Sequence, residues 1–152
     1  MTRPKIEKPP AYLNVALETR RRMQSVKRQN TAPELVVRRI LHAMGYRFRL
    51  HRRDLPGTPD IVLPRHRKIV LVHGCFWHGH AGCPRARLPA SNVQTWHRKL
   101  EGNQRRDQGN IVALEGLGWD VLVIWECELR DLSGVGDRLR RFLEEGTTSD
   151  NR

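Results

Sequence analysis

The stretch WDVLVIW, residues 119–125, restricts the fold more than any other part of the chain. It is a short, nearly unbroken apolar run that begins immediately after Gly118. A helix would need more residues to bury such a run, so it reads as a buried strand. Two further apolar runs, IVL (61–63) and IVLV (69–72), lie on either side of the polar stretch PRHRK. Pairing them as a simple hairpin, Leu63 against Ile69, sets Asp60 opposite Val72. Upstream, Tyr46, Phe48 and Leu50 alternate with Arg47, Arg49 and His51, the pattern of a half-exposed strand.

Helical signals separate and flank these runs. Thr31 is a good N-cap and Glu34 completes a capping box. Leu35, Val36, Ile40, Leu41 and Met44 then form an apolar stripe, which Gly45 closes. Ser91 and Gln94 make a second box, opening helical sequence to about Leu117, with Gly102 as a candidate break and Gly118 as the stop. Val135, Leu139, Phe142 and Leu143 mark a last amphipathic helix. This order describes an α/β domain with a small central mixed sheet flanked by helices. The 152 residues suffice for one such domain. Residues 1–16 read as a flexible basic arm, 17–146 as the domain and 147–152 as a disordered tail. The segment ALETRRRMQSVK (17–28), which carries Met23, is compatible with a helix or with a basic arm.

Lys and Arg outnumber Asp and Glu by 28 to 16, a formal charge of +12, and the isoelectric point is near 10.9. A globular chain this basic points to a polyanionic partner, nucleic acid first. No run approaches the roughly 20 apolar residues of a spanning helix, and the N-terminus lacks the apolar core of a signal peptide. The expected location is therefore the cytoplasm, without membrane association. There, three cysteines are expected to be buried, catalytic or metal-bound rather than disulfide-linked.

Two of those cysteines fall in HGCFWHGHAGC, residues 73–83. Cys75, His80 and Cys83 give a Cys-x4-His-x2-Cys knuckle, and Cys127 lies just past the buried strand. The four would make a Cys3His zinc site pinning an irregular loop to the end of that strand. The alternative is a buried Cys127 and a merely polar loop. His78 competes with His80 for the ligand role, and composition does not separate them. Phe76 and Trp77 lie inside the knuckle and suit a wedge that stacks on bases. On residues alone, however, covering the zinc and capping the core is their default role.

Asp60, in Pro-Asp at the head of a strand pair, suits a divalent ion at a scissile phosphate, with the Val72 carbonyl as a second oxygen ligand and His73 in reach of the phosphate. Taken alone, Pro-Asp is routine in turns, Glu34 is explained by its capping box, and Asp107 in NQRRDQGN is by default an exposed helical charge.

Together, the arm with Met23, the TAPE segment, LPGTPDIVL, VHGCFWHGH, the Trp96 helix with RRD, and LGWDVLVIWECEL resemble the very short patch repair (Vsr) endonuclease family. In order and spacing the resemblance covers roughly residues 17 to 130. It implies a restriction-endonuclease-like fold and a magnesium-dependent nickase. The enzyme would cut 5′ to the thymine of a T·G mismatch left by 5-methylcytosine deamination. Asp60 and the Val72 carbonyl would hold magnesium. His78 would be the general base, oriented by Asp107, with His73 and Glu34 in support. Cys75, His80, Cys83 and Cys127 would hold structural zinc. Phe76, Trp77 and Trp96 would enter the duplex, and Met23 would approach from the minor groove. Expected partners are mismatched double-stranded DNA and mismatch-repair proteins, with the enzyme a monomer. The chain departs from the family at Val72, where threonine is frequent, and HGHAGC holds one residue more between its histidine and cysteine. Other readings are a restriction-type endonuclease on intact duplex and a zinc-stapled DNA-binding protein without catalysis.

Overall fold

The computed structural model describes residues 29–145. The chain divides into a unit ending at Thr31 and a unit beginning at Ala32, and every element below belongs to the second. The arm (1–16), Met23 and the tail (147–152) lie outside the described residues. The order is α1 (Ala32–Ala43), β1 (Arg49–Leu50), β2 (Ile61–Leu63), β3 (Lys68–His73), α2 (Val93–Gly116), β4 (Asp120–Trp125) and α3 (Leu132–Glu144). The sheet runs β1-β2-β3-β4. β1 and β2, and β2 and β3, are antiparallel, whereas β3 and β4 are parallel. The sheet is therefore small and mixed, as expected.

The continuous apolar runs follow from burial on both faces. Val37 and Leu41 of α1 and Val135, Leu139 and Leu143 of α3 pack against Ile61, Leu63, Val70, Val72 and Ile124. Residues of the opposite parity, Val62, Ile69 and Leu71, pack with Leu114 of α2 and with Trp119. Because side chains alternate along a strand, a strand between two helical layers has no polar face to show. α1 ends as its glycine requires: Gly45 has φ +86, and Tyr46 N–H donates to the Leu41 carbonyl at 3.0 Å.

Several local expectations change. The first strand shrinks to two residues. Tyr46 and Phe48 still pack on the core, but Leu50 is 39% exposed. The β2–β3 register is one residue tighter than the simple hairpin, pairing Leu63 with Lys68 and Ile61 with Val70. A single 3₁₀ turn, Pro64–His66, followed by Arg67 at φ +54, closes the connection one residue sooner. Lys68 therefore enters the strand and is 3% exposed. Its ammonium donates to the Phe142 carbonyl and lies 3.6 Å from Asp120, which makes burial tolerable. α2 is unbroken through Gly102, and its N-cap is Asn92 at φ +58 with no side-chain cap. The Ser91–Gln94 box therefore does not set its start. Of WDVLVIW, Asp120–Trp125 form the strand, in which only Ile124 is buried, while Trp119 lies just before it in the core.

Candidate active site

Asp60 leads into β2, His73 ends β3 and Trp125 ends β4, so antiparallel and parallel pairing bring all three to one end of the sheet. Continued by one residue, the observed register sets Asp60 level with Leu71 rather than Val72. Asp60 still reaches Val72, but through the main-chain N–H rather than the carbonyl: Asp60 Oδ2 accepts the Val72 N–H at 3.0 Å. Burial raises the Asp60 pKa to about 6. The Val72 N–H opposes that rise, the Glu34 charge adds to it, and His51 and His78 oppose it.

Glu34 is 2% exposed on α1. Its Oε2 accepts from Arg38 at 3.0 Å and lies 3.1 Å from His51 Nε2. Donor atoms of Glu34, His51 and Asp60 all lie within 4.8 Å of one another. Helix capping therefore does not exhaust what Glu34 does. His51 was legible only as an outward residue in an arginine-rich strand.

The segment after His73 is irregular in sequence but rolled into successive tight turns. His78 N–H donates to the Gly74 carbonyl, Gly79 to Phe76, His80 to Cys75, Cys83 to His80 and Ala86 to Cys83. Two side chains of α2 hold this roll from outside: Asn103 donates to the Trp77 carbonyl and Gln104 to that of Gly79, each at 3.0 Å. Gly79 has φ +62, which strains any residue with a Cβ, and a Cβ there would also push the Gln104 amide away. Asn103 and Gln104 were missed in the sequence. The available signal was their offset of four and three residues from Asp107, which puts them on the same helix face.

Asp107 is not a free surface charge. Its Oδ2 lies 2.6 Å from His78 Nδ1. A carboxylate only accepts, so Nδ1 carries the proton; in the neutral ring the lone pair is then on Nε2. The His78 ring stacks on His73 with centroids 3.8 Å apart and planes 6° apart. His73 is 6% exposed, and burial, helped by the His78 charge, lowers its pKa to about 4 against the pull of Asp107. It is therefore neutral near pH 7.

His80 lies apart from this pair. Its Nδ1 is 3.4 Å from Cys127 Sγ, and its ring stacks on Trp125 at 4.2 Å. Donor atoms of Cys75, His80, Cys83 and Cys127 lie within 4.8 Å of one another, so the extra residue in HGHAGC does not keep His80 and Cys83 apart. Tetrahedral coordination with ordinary Zn–S and Zn–N lengths gives S–S edges of about 3.8 Å and S–N edges of about 3.5 Å. The donor set thus fits a metal ion by chemistry and by size. Burial, with the neighbouring thiols, pushes the Cys75 thiol up to about 11; a divalent cation would reverse that by favouring thiolates.

Phe76, Trp77 and Trp96 pack on each other rather than in either core cluster. Phe76 meets Trp77 at 5.1 Å and Trp96 at 5.4 Å between centroids. All three are half-buried, with Lys99 Nζ 5.7 Å from the Trp77 ring. Neither Phe76 nor Trp77 belongs to the two core clusters.

Residues 16–84 match the family model for the DNA mismatch endonuclease Vsr. A type II nicking enzyme of Xanthomonas oryzae pv. oryzae, V.XorIIP, is 55% identical over 122 residues, covering 80% of this chain and 89% of the relative. The chain belongs to the Vsr family. The DNA mismatch endonuclease Vsr of Escherichia coli is 38% identical over 124 residues, covering 81% of this chain and 79% of that one. A third relative, the nicking enzyme V.NmeAIP of Neisseria meningitidis, is 39% identical over 123 residues, covering 81% and 87%. This is accordingly a Vsr-family DNA endonuclease. The region matching the family model takes in Glu34, Asp60, His73, His78 and three of the four Cys/His donors. Trp96, Asp107 and Cys127 lie beyond it and are supplied by α2 and the turn after β4. Among the described residues, no helix is long and apolar enough to cross a membrane.

Proposed function

We propose that the protein nicks one strand of duplex DNA 5′ to the thymine of a T·G mismatch, with magnesium as its catalytic ion and zinc as a structural one. The observation that carries this reading is the His78–Asp107 pair at 2.6 Å, stacked on a neutral His73 beside the buried carboxylates. Asp60 and the main-chain carbonyl of Val72 would hold magnesium, both being hard oxygen donors. When bound, that ion offsets the negative charge gathering on the scissile phosphate.

The chain's own groups supply the rest. His78 takes a proton from the attacking water at Nε2, and Asp107 holds the ring in the required tautomer and stabilises its charged form. His73 faces the phosphate as a neutral imidazole and keeps the His78 ring in plane. Glu34, held by Arg38 and His51, supports the centre from α1. Zinc on Cys75, His80, Cys83 and Cys127 fixes the rolled loop that carries both His78 and the aromatic pair. Phe76, Trp77 and Trp96 wedge into the duplex beside the mismatch, with Met23 approaching from the minor groove. A T·G wobble pair unstacks more cheaply than a matched pair, so the wedge itself favours it.

The test is cleavage of an end-labelled T·G duplex under magnesium by the wild type and by Asp60→Ala. Nicking by the wild type alone is expected. Undiminished nicking by Asp60→Ala would overturn the catalytic assignment. Binding without cleavage by the wild type would favour a zinc-stapled binding protein.

A further inference from the structure

We infer that His51 is a nitrogen donor of the divalent-ion site, completing a mixed imidazole–carboxylate set with Glu34 and Asp60. The inference rests on the reading above that Asp60 holds such an ion, and it adds His51 and Glu34 to the donors named there.

The backbone brings His51 there. β1 has only two residues, and immediately after it His51 N–H donates to the Asp60 carbonyl at 3.2 Å. His51 itself sits at φ +46, a conformation that costs energy for a residue with a Cβ. From there the side chain, 14% exposed, sets Nε2 3.1 Å from Glu34 Oε2. Donor atoms from Glu34, His51 and Asp60 are mutually within 4.8 Å. The 3.1 Å contact is a hydrogen bond in which His51 Nε2 donates to the Glu34 carboxylate. Two cis ligands at about 2.1 Å from an octahedral ion are about 3.0 Å apart, so an ion that displaces this proton would find the two atoms at the spacing of a coordination edge.

The chemistry of that set has a consequence. Magnesium favours hard oxygen donors; an imidazole set among carboxylates shifts preference toward a first-row transition ion, and manganese is the one that shares magnesium's suitability for carboxylates. With both carboxylates close and Arg38 already on Glu34, a neutral imidazole adds a donor without adding charge. The site should therefore bind manganese more tightly than magnesium, and His51 should be the cause.

The experiment uses the zinc-loaded full chain with added Mn²⁺. Pulsed electron paramagnetic resonance should show nitrogen coupling from a coordinated imidazole, and His51→Gln should abolish it. Competition titration should show the Mn²⁺-over-Mg²⁺ preference falling roughly 10- to 100-fold in that variant. His51→Glu, which returns an oxygen donor, should keep Mn²⁺ binding without nitrogen coupling and move the preference toward Mg²⁺. Nitrogen coupling absent from the wild type, or unchanged in His51→Gln, would overturn the inference, leaving His51 as a hydrogen-bond support for Glu34. Asp60→Ala separates the two readings. If it leaves Mn²⁺ binding intact, the Asp60 ion site itself fails; if it abolishes binding while His51→Gln changes nothing, only the His51 assignment fails.

Discussion

Asp107 and Asp60 are both carboxylates at one end of the sheet, yet their surroundings give them different work. Asp107 meets one imidazole edge at 2.6 Å. Asp107→Asn should lower single-turnover nicking by roughly 10²- to 10⁴-fold, the range for losing general-base assistance, with DNA affinity nearly unchanged. A loss confined to affinity would contradict the role. Asp60 has a pKa raised to about 6 by burial, above its unfolded value near 4. The folded state therefore holds the proton more tightly, and this group's contribution to stability is lost as pH rises through that window. Without added magnesium, Asp60→Asn should melt higher than wild type at pH 7.5 and about equally at pH 4. In the wild type, magnesium affinity should fall as pH drops below about 6, because the proton competes for the same oxygens; calorimetric titration across that range checks both the sign and the position. None of this was readable from Pro-Asp alone. His51 was hidden for a related reason: its positive φ turns inward a side chain that strand alternation would point outward.

At the scale of elements, the sequence was most legible where one force dominates. The apolar runs became β2, β3 and β4, and the stripes ending at Gly45 and Glu144 became helices, because burial sets their period. Boundaries were less legible because left-handed residues decide them: Arg67 shortens the β2–β3 connection and Asn92 opens α2. The rolled loop 74–86 has no periodicity at all. Its order comes from consecutive turn hydrogen bonds and from Asn103 and Gln104, and the proposed zinc on the four Cys/His donors would add to it. Cys127→Ser should release about one zinc per chain and lower the melting temperature, and nicking should fall with it because His78 rides on the same loop. Retention of zinc by that variant, measured by metal analysis, would argue against the four-ligand site. The aromatic trio belongs to this element too. Phe76→Ala and Trp77→Ala should weaken discrimination between T·G and matched duplex more than they weaken affinity for matched DNA. Equal losses would mean that the rings serve packing.

Across the domain that begins at Ala32, a sheet with helices on both faces brings Asp60, the His78–Asp107 pair, the Cys/His cluster and the aromatic trio toward one end. The formal charge of +12 suits DNA attraction of the sequence-independent, salt-sensitive kind, so the proposed mechanism assigns selectivity to the loop and its aromatic trio. Each Cys/His donor and each imidazole could be listed from the sequence. What spacing could not do was divide His78 from His80; only folding sends one to Asp107 and the other to Cys127. The most direct measurement is single-turnover cleavage of matched and T·G duplexes of otherwise identical sequence, strand by strand, with the zinc-loaded protein in magnesium. The mechanism predicts a single nick 5′ to the mismatched thymine, with the opposite strand and the matched duplex left intact. Cutting both strands of both duplexes at equal rates would contradict it and point to a restriction-type endonuclease.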